Sequence, residues 1–116
     1  MEYNELFVRT ELLVGSAAMQ QIATKKVILF GVGGVGSWCA EGLIRSGIMN
    51  LTIVDSNRVA LANINRQLPA TTKTIGELKV DVLKNRLQEI NPNAFITAIP
   101  EIYDSESYIS GIAVIN

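Results

Sequence analysis

One stretch sets the architecture of this chain: Val27-Ile28-Leu29-Phe30-Gly31-Val32-Gly33-Gly34-Val35-Gly36-Ser37. Four apolar residues, typical of a buried parallel strand, lead directly into a glycine-rich loop, and a helix-like segment follows. Glycine lets the backbone turn sharply and approach a ligand closely. The N–H groups of Val35, Gly36 and Ser37, together with the helix dipole, would face an anion. The stretch therefore predicts a strand, a phosphate-binding loop and a helix, with a nucleotide as the ligand.

The segments that follow repeat this alternation of strand and helix. Residues 51–54 form a second apolar run that ends at Asp55. A nucleotide-binding fold places a carboxylate there, about 20 residues after the loop, to accept hydrogen bonds from ribose hydroxyls. Further strands are predicted at 94–99 and 111–115, and a loop or short helix between them. The fold class is therefore α/β, a Rossmann-like three-layer domain with a mainly parallel sheet, truncated after about four strands.

Three helical patterns give more local expectations. After the loop, a helix ending near Gly47 should bury one side, formed by Trp38, Ala40, Leu43 and Ile44. A second helix should begin with a capping box, in which Thr74 bonds the Glu77 amide, and should end before Asn91. Upstream, a weaker helical pattern is broken at Gly15. Its apolar residues are expected to share one face, namely Leu12, Leu13, Met19, Ile22 and Ala23.

The composition excludes several classes of protein. The chain has 116 residues, 48% of them hydrophobic, with 10 basic and 11 acidic residues, so no electrostatic field favours nucleic acid or an anionic membrane. Histidine is absent and Cys39 is the single cysteine, which excludes histidine acid–base chemistry, a Cys/His zinc site and a disulfide scaffold. Cys39 itself is expected to be a small buried filler. No membrane span and no signal peptide are apparent, which predicts a cytoplasmic protein.

The chain divides into an N-terminal arm with a helix, residues 1–25, and a nucleotide-binding domain, residues 26–116. The arm carries the apolar knot Leu6-Phe7-Val8 before an isolated Arg9. Such a knot is expected to pack against the domain or a second subunit.

Residues 56–73 do not have the pattern of an ordinary helix. They form a polar segment with Asn63, Arg66 and Gln67 directly after the expected ribose carboxylate. Lys79 lies near the start of the next helix and is expected to point into the same pocket as the glycine loop. A solvated, turn-rich connection is the alternative interpretation.

These motifs, taken in order, resemble the ubiquitin-activating-like adenylyltransferase family, which includes the ThiF, MoeB and HesA proteins. The glycine loop, Asp55, the segment Asn63-Ile64-Asn65-Arg66-Gln67 and Lys79 carry the resemblance. Three stretches are most similar to the branch that dehydrates threonylcarbamoyladenosine in tRNA: Phe7-Val8-Arg9-Thr10-Glu11-Leu12-Leu13-Val14-Gly15, Gly33-Gly34-Val35-Gly36-Ser37-Trp38 and the segment of residues 63–67.

The resemblance implies that ATP, with Mg²⁺, adenylates a carboxylate by attack on the α-phosphorus and releases pyrophosphate. In this branch the carboxylate belongs to threonylcarbamoyladenosine in tRNA, and the activated group then cyclises. Asp55 would hold the ribose, Asn63, Arg66 and Lys79 would bind the triphosphate, and Arg9 would enter the ATP site of the neighbouring subunit in a homodimer. The implied catalytic residues are Arg9, Arg66 and Lys79. The implied nucleotide-binding residues are Gly31, Gly33, Gly34, Gly36, Ser37, Asp55, Asn63, Arg66, Gln67 and Lys79.

The sequence departs from the family pattern at its end. Asn116 occupies a place where relatives commonly have an acidic residue that binds metal, so no metal ligand is predicted and the magnesium site is incomplete. The family's later cysteine, zinc site and substrate-binding surface are missing as well. We therefore expect an N-terminal piece of a larger enzyme that does not complete catalysis alone.

Three alternatives remain open from sequence. The first is an activating enzyme for the C-terminal glycine of a ubiquitin-like sulfur-carrier protein, as in molybdopterin or thiamine biosynthesis. The second is an NAD-dependent dehydrogenase domain, since Gly31, Gly33, Gly36 and Asp55 also satisfy the dinucleotide pattern. The third is a non-catalytic binding module.

Overall fold

Helices and parallel strands alternate along the chain. The computed structural model describes residues 3–102 and 113–115. In chain order the elements are α1 (Tyr3–Val14), α2 (Ser16–Ala23), β1 (Lys26–Phe30), α3 (Gly34–Arg45), β2 (Asn50–Val54), a 3₁₀ turn (Leu61–Asn63), α4 (Lys79–Ile90), β3 (Phe95–Ile99) and β4 (Ala113–Ile115). The first three strands lie within one residue of their predicted bounds.

The four strands form one sheet in the order β3-β2-β1-β4, and every pair is parallel. The register aligns Val27, Leu51 and Ile96 in one row. The next row on the same face holds Leu29, Ile53 and Ala98. Because these rows are apolar, they form the surface on which the helices pack. The predicted α/β, Rossmann-like class is confirmed.

Helices α3 and α4 cover this face of the sheet and contact each other. Ile44 of α3 and Leu83 and Leu87 of α4 are fully buried in the shared core, and Cys39 packs against it as the predicted filler. As predicted, α3 ends before a glycine with positive φ, Gly47 at 109°.

An ion pair joins the outer parts of α3 and α4. Arg86 Nε of α4 lies 2.5 Å from Glu41 Oε1, and Arg45 Nε lies 3.4 Å from Glu41 Oε2. The hydrogen bond from Arg86 lowers the pKa of Glu41, although burial of the carboxylate acts in the opposite direction. Glu41 is 8% exposed, so its charge depends on these two arginines for compensation.

The N-terminal segment is helical. Gly15, with φ of 89°, separates α1 from α2 as predicted, and α1 has a kink at Phe7. Phe7 is buried, which fits the expected packing of the apolar knot, but its neighbour Val8 is exposed. The predicted common apolar face is wrong, because Leu12 and Leu13 are 83% and 85% exposed whereas Met19 is buried. Helical spacing identifies neighbouring side chains, but it does not show which side meets the core.

Two further local predictions are wrong. Trp38 does not share the buried side of α3, since it is 55% exposed and donates from Nε1 to the backbone oxygen of Arg66. The capping box is also absent, because α4 begins only at Lys79 and has no side-chain cap. The Thr74 hydroxyl instead donates to the carbonyl of Pro69. The hydroxyl that the capping box needed is therefore part of a preceding turn.

Some predictions fall outside the described residues: the loop or short helix at 103–109, the start of the fourth strand at 111–112, and Asn116. In the described part of the chain, none of the helices has the length and apolar character needed to cross a membrane.

Candidate nucleotide-binding site

The glycine loop joins the end of β1 to the start of α3 in a tight turn. Gly31 has φ of 89°, which is strained for other residues. A Cβ on Gly36 would lie 1.9 Å from the carbonyl oxygen of Gly31, so the two backbones approach too closely for any side chain at this position. The predicted sharp turn and close approach are both present.

The first turn of α3 presents backbone donors. No hydrogen bond of the Gly34, Val35 or Gly36 amide is found within residues 3–102. The amide of Ser37 was expected to be free as well, and this is wrong, because it donates to the Gly33 carbonyl at 3.1 Å. Ser37 is the first residue of α3 whose partner lies within the turn. The anion-binding donors therefore lie one position earlier than predicted.

Asp55 follows β2 and contacts the loop directly. Its Oδ2 accepts from the Val32 amide at 3.0 Å, and its Oδ1 accepts from the Asn57 amide at 2.8 Å. Each oxygen of an ionised carboxylate has about two acceptor sites, so capacity for further donors remains. A cavity of about 180 Å³ opens beside this carboxylate at the carboxyl ends of the strands. Its lining consists of Gly31, Val54, Asp55, Ser56, Glu101 and Ile102.

The segment 66–68 docks on the first turns of α3 through two consecutive residues. Ser37 Oγ donates to the Gly33 carbonyl and accepts from the Leu68 amide at 3.1 Å. Trp38 Nε1 donates to the Arg66 carbonyl at 3.1 Å. Ser37 was predicted to bind the nucleotide, but its buried hydroxyl is used within the protein.

This docking places the side chains of Arg66 and Gln67 against the glycines. Arg66 Cγ, Cδ and Nε lie 3.6, 3.7 and 3.9 Å from the position of a Cβ on Gly34. Gln67 Nε2 lies 3.5 Å from the corresponding position at Gly33. Gln67 is 8% exposed, and its buried Oε1 has no hydrogen-bond partner in the part of the chain that the structure describes. A Cβ at either glycine would be in ordinary van der Waals contact with these side chains, which therefore lie directly against the loop.

Two cations of the site lack carboxylate partners among residues 3–102. Arg66 is exposed, and its Nη1 contacts only the Ala62 carbonyl and Asn65 Oδ1. Lys79 is 6% exposed and forms no ion pair there, although Asp81 lies in the same helical turn. Lys79 is also the first residue of α4, where the helix dipole disfavours a cation. A buried cation without a counter-charge is costly, and an anionic ligand would remove that cost.

Backbone hydrogen bonds connect Lys79 with Asp55. The Lys79 amide donates to the Asn57 carbonyl at 3.1 Å, and the Asn57 amide donates to Asp55. A bridge between Arg58 and Leu78 reinforces this link. The start of α4 is thereby tied to the end of β2, next to the glycine loop.

Asn63 and Arg9, the other two predicted site residues, make no described contact with the glycine loop. Asn63 Oδ1 accepts from the Ala60 amide at 2.8 Å and holds the 3₁₀ turn, and its Nδ2 donates no hydrogen bond within the described ranges. Arg9 is exposed on α1. Because its predicted partner is a neighbouring subunit, its role stays a prediction.

Sequence reasoning missed the docking function of Ser37 and Trp38. Their partners lie 31 and 28 residues away in the chain, so no local pattern connects them. The one available signal was the indole N–H of Trp38, a donor that needs a partner when its ring packs against the protein.

A profile of the ThiF family matches residues 7–115 of this chain. The chain is 41% identical over 102 residues to a tRNA threonylcarbamoyladenosine dehydratase of Bacillus subtilis, covering 88% of this chain and 40% of that protein. It is 31% identical over 94 residues to the molybdopterin-synthase adenylyltransferase of Escherichia coli, covering 81% and 38% respectively. The chain thus spans less than half the length of these relatives.

A solved structure has the same fold. The crystal structure of E. coli tRNA N6-threonylcarbamoyladenosine dehydratase in complex with ATP superposes with a TM-score of 0.83 at 36% identity, covering 85% of this chain and 41% of that one. The family profile spans nearly all of the chain, and the structure brings the glycine loop, Asp55 and the docked segment 66–68 together at one end of the sheet. The chain belongs to the ThiF family.

Proposed function

We propose that this chain is the ATP-binding part of a cytoplasmic enzyme that adenylates the carboxylate of threonylcarbamoyladenosine in tRNA. One observation carries the proposal: among the described residues, Arg66 and Lys79 lack carboxylate partners, Arg66 packs along Gly34, and the amides of residues 34–36 form no hydrogen bond. Such an arrangement suits a highly charged phosphate group.

The surplus of positive charge favours a triphosphate over a dinucleotide. A dinucleotide needs the glycine loop and Asp55, which dehydrogenase domains also have. Arg66 and Lys79 have no evident use with NAD, because its two phosphates carry less charge. With ATP they counter the charge that builds on the leaving pyrophosphate.

The protein groups have separable roles in this reaction. Asp55 accepts from the ribose hydroxyls with the capacity left by its two amide partners, and Asn63 offers its free Nδ2 to the phosphates. The substrate carboxylate attacks the α-phosphorus, the bond to the β-phosphate oxygen breaks, and pyrophosphate leaves with the electron pair. Cyclisation of the activated acyl group then releases AMP.

Magnesium is the metal that the family implies. Among residues 3–102 and 113–115, no group of three or more Asp, Glu, Cys or His side chains could hold a metal ion. Mg²⁺ is usually held by one or two carboxylates together with the phosphates of its nucleotide, so no step is assigned to the metal from these residues.

The relatives guide the choice of substrate. The more similar relative is named as a tRNA threonylcarbamoyladenosine dehydratase, and the more distant one as a molybdopterin-synthase adenylyltransferase. Adenylation of a ubiquitin-like sulfur-carrier protein is therefore the second candidate. The opening motif Phe7–Gly15 favours tRNA.

The test compares pyrophosphate release by the full-length protein with tRNA carrying threonylcarbamoyladenosine and with a sulfur-carrier protein. We expect release with the tRNA. Release only with the carrier would establish the second candidate. Failure to release pyrophosphate or to exchange it with ATP under either condition would favour a non-catalytic module.

A second measurement tests the ATP site by calorimetry. Loss of a hydrogen bond to a charged group costs about 1.5–3 kcal/mol, so Arg66→Gln and Lys79→Met should each weaken ATP binding by about tenfold or more. Lys84→Met, on the same helix as Lys79, serves as the matched control and should leave the Kd unchanged. Tight NAD binding that neither substitution affects would instead support the dehydrogenase alternative.

A further inference from the structure

Trp38 occupies an unusual position for a tryptophan. It is 55% exposed, although a ring of this size usually contributes to a core. Its indole N–H donates to the carbonyl of Arg66 at 3.1 Å. The ring is therefore largely in solvent, and its N–H bonds the backbone of a residue of the candidate ATP site.

The contact has a mechanical consequence for Arg66. The side chain of Arg66 packs along Gly34, with Cγ 3.6 Å from the position of a Cβ there. Trp38 holds the backbone of the same residue from the next turn of α3. Backbone and side chain of Arg66 are thus both held against the helix whose N-terminal amides face the ligand.

The residues next to Arg66 and Trp38 make other contacts and do not hold the Arg66 backbone against α3. Ser37 fixes Leu68, two residues further along, and Gln67 is buried between the two contacts. The guanidinium itself is exposed, and within residues 3–102 it bonds only Ala62 and Asn65 on its own segment. Without Trp38, nothing in the described part of α3 would bond the backbone of Arg66.

We propose that Trp38 is a positioning residue, whose hydrogen bond to the Arg66 carbonyl sets the place of the guanidinium for the phosphates of ATP. The proposal rests on the proposed function, because it needs Arg66 to bind the triphosphate. It assigns no contact with the substrate to Trp38.

The direct test is Trp38→Phe, which keeps a ring and removes the donor. Arg66 is exposed, so water can bond its carbonyl and the fold should be retained. A neutral hydrogen bond contributes about 0.5–1.5 kcal/mol, so kcat/KM for ATP in the full-length protein should fall about two- to tenfold. Phe95→Leu, which changes an exposed aromatic at the opposite end of the sheet, should change nothing.

A double-mutant cycle separates positioning from a general effect on structure. In an Arg66→Gln background, Trp38→Phe should cause no further loss, because the group that it positions is gone. Losses that multiply independently would overturn the positioning role. The positioning role would also be overturned if Arg66→Gln impaired the enzyme while Trp38→Phe kept the wild-type kcat/KM.

Trp38 also supplies a spectroscopic readout, since it is the single tryptophan of these 116 residues. The difference in emission between the wild type and Trp38→Phe isolates its signal in the full-length protein. ATP should shift this signal in the wild type and leave it unshifted in Arg66→Gln; an identical shift in both would overturn the proposal. If Arg66→Gln binds and turns over ATP normally, the proposed function fails, and the role of Trp38 fails with it.

Discussion

The close approach of α3 to β1 makes Gly36→Ala the most informative single change. The added Cβ would lie 1.9 Å from the Gly31 oxygen and 2.8 Å from its carbonyl carbon, whereas real contacts of this kind are not found below 3.0 Å. Both opposing atoms are backbone, so no side-chain rotation relieves the overlap. The start of α3 must move by roughly 1 Å or more relative to β1.

Two effects of opposite sign follow from this substitution. Alanine is favoured over glycine in a helix by about 0.8–1 kcal/mol, whereas overpacking typically costs about 1–3 kcal/mol. Here the overlap is with backbone, so the cost should prevail and the protein should lose stability. A displacement of about 1 Å in positioned groups can reduce rates by about 10²-fold, and we expect ATP binding and turnover to fall accordingly.

The matched control is Gly42→Ala, in the same helix. A Cβ there meets nothing within 4 Å, so only the gain in helix propensity remains and stability should rise. Urea unfolding and ATP calorimetry on the full-length protein would measure both variants. The reasoning would be refuted if Gly36→Ala were as stable as Gly42→Ala and bound ATP as tightly as the wild type.

Three other changes test separate parts of the structure. Because Arg86 lowers the pKa of Glu41, the charged form of Glu41 stabilises the fold above about pH 4.3, and this contribution is lost as the pH falls through the lowered pKa. Glu41→Gln should therefore reduce the loss of stability at acid pH that urea unfolding measures. An unchanged loss would contradict the stabilising role of the Glu41 carboxylate. Ser37→Ala leaves the Leu68 amide without an acceptor and should reduce the free energy of unfolding by about 1–3 kcal/mol, whereas a loss within about 0.5 kcal/mol would show that the contact is dispensable. Arg9→Ala should lower pyrophosphate release by the full-length protein and leave unfolding unchanged, since Arg9 is exposed; unaltered release would exclude its predicted role in a dimer.

The sequence predicted the strands, the sharp turn of the glycine loop and the position of Asp55 beside it. Strand β1 and the glycine loop are local features, and a strand that is buried on both faces leaves a continuous apolar run. Asp55 was found because its distance from the loop follows from the length of one helix and one strand. In each case the structural requirement is expressed within a short stretch of sequence.

The incorrect predictions concern side chains that bond a residue distant in sequence, or that bond a different local partner from the expected one. Thr74 has the spacing of a capping residue, but its hydroxyl bonds the Pro69 carbonyl in a turn. Trp38 has the spacing of a core residue, but its N–H bonds Arg66. Leu12 and Leu13 lie on a real helix whose buried side is set by packing rather than by periodicity. Tertiary contacts decided all three.

The position of β1 within the sheet has a consequence for synthesis of the chain. β1 is the first strand to emerge, yet it ends up between two neighbours: Val27 pairs with Leu51 on one side and with Ala113 on the other. Strands β1, β2 and β3 can assemble early, but one edge of β1 must wait for β4 while most of the chain is translated. An unpaired apolar edge is a template for association with other chains. The strand that carries the glycine loop therefore has an edge that nascent chains must protect until β4 has been made.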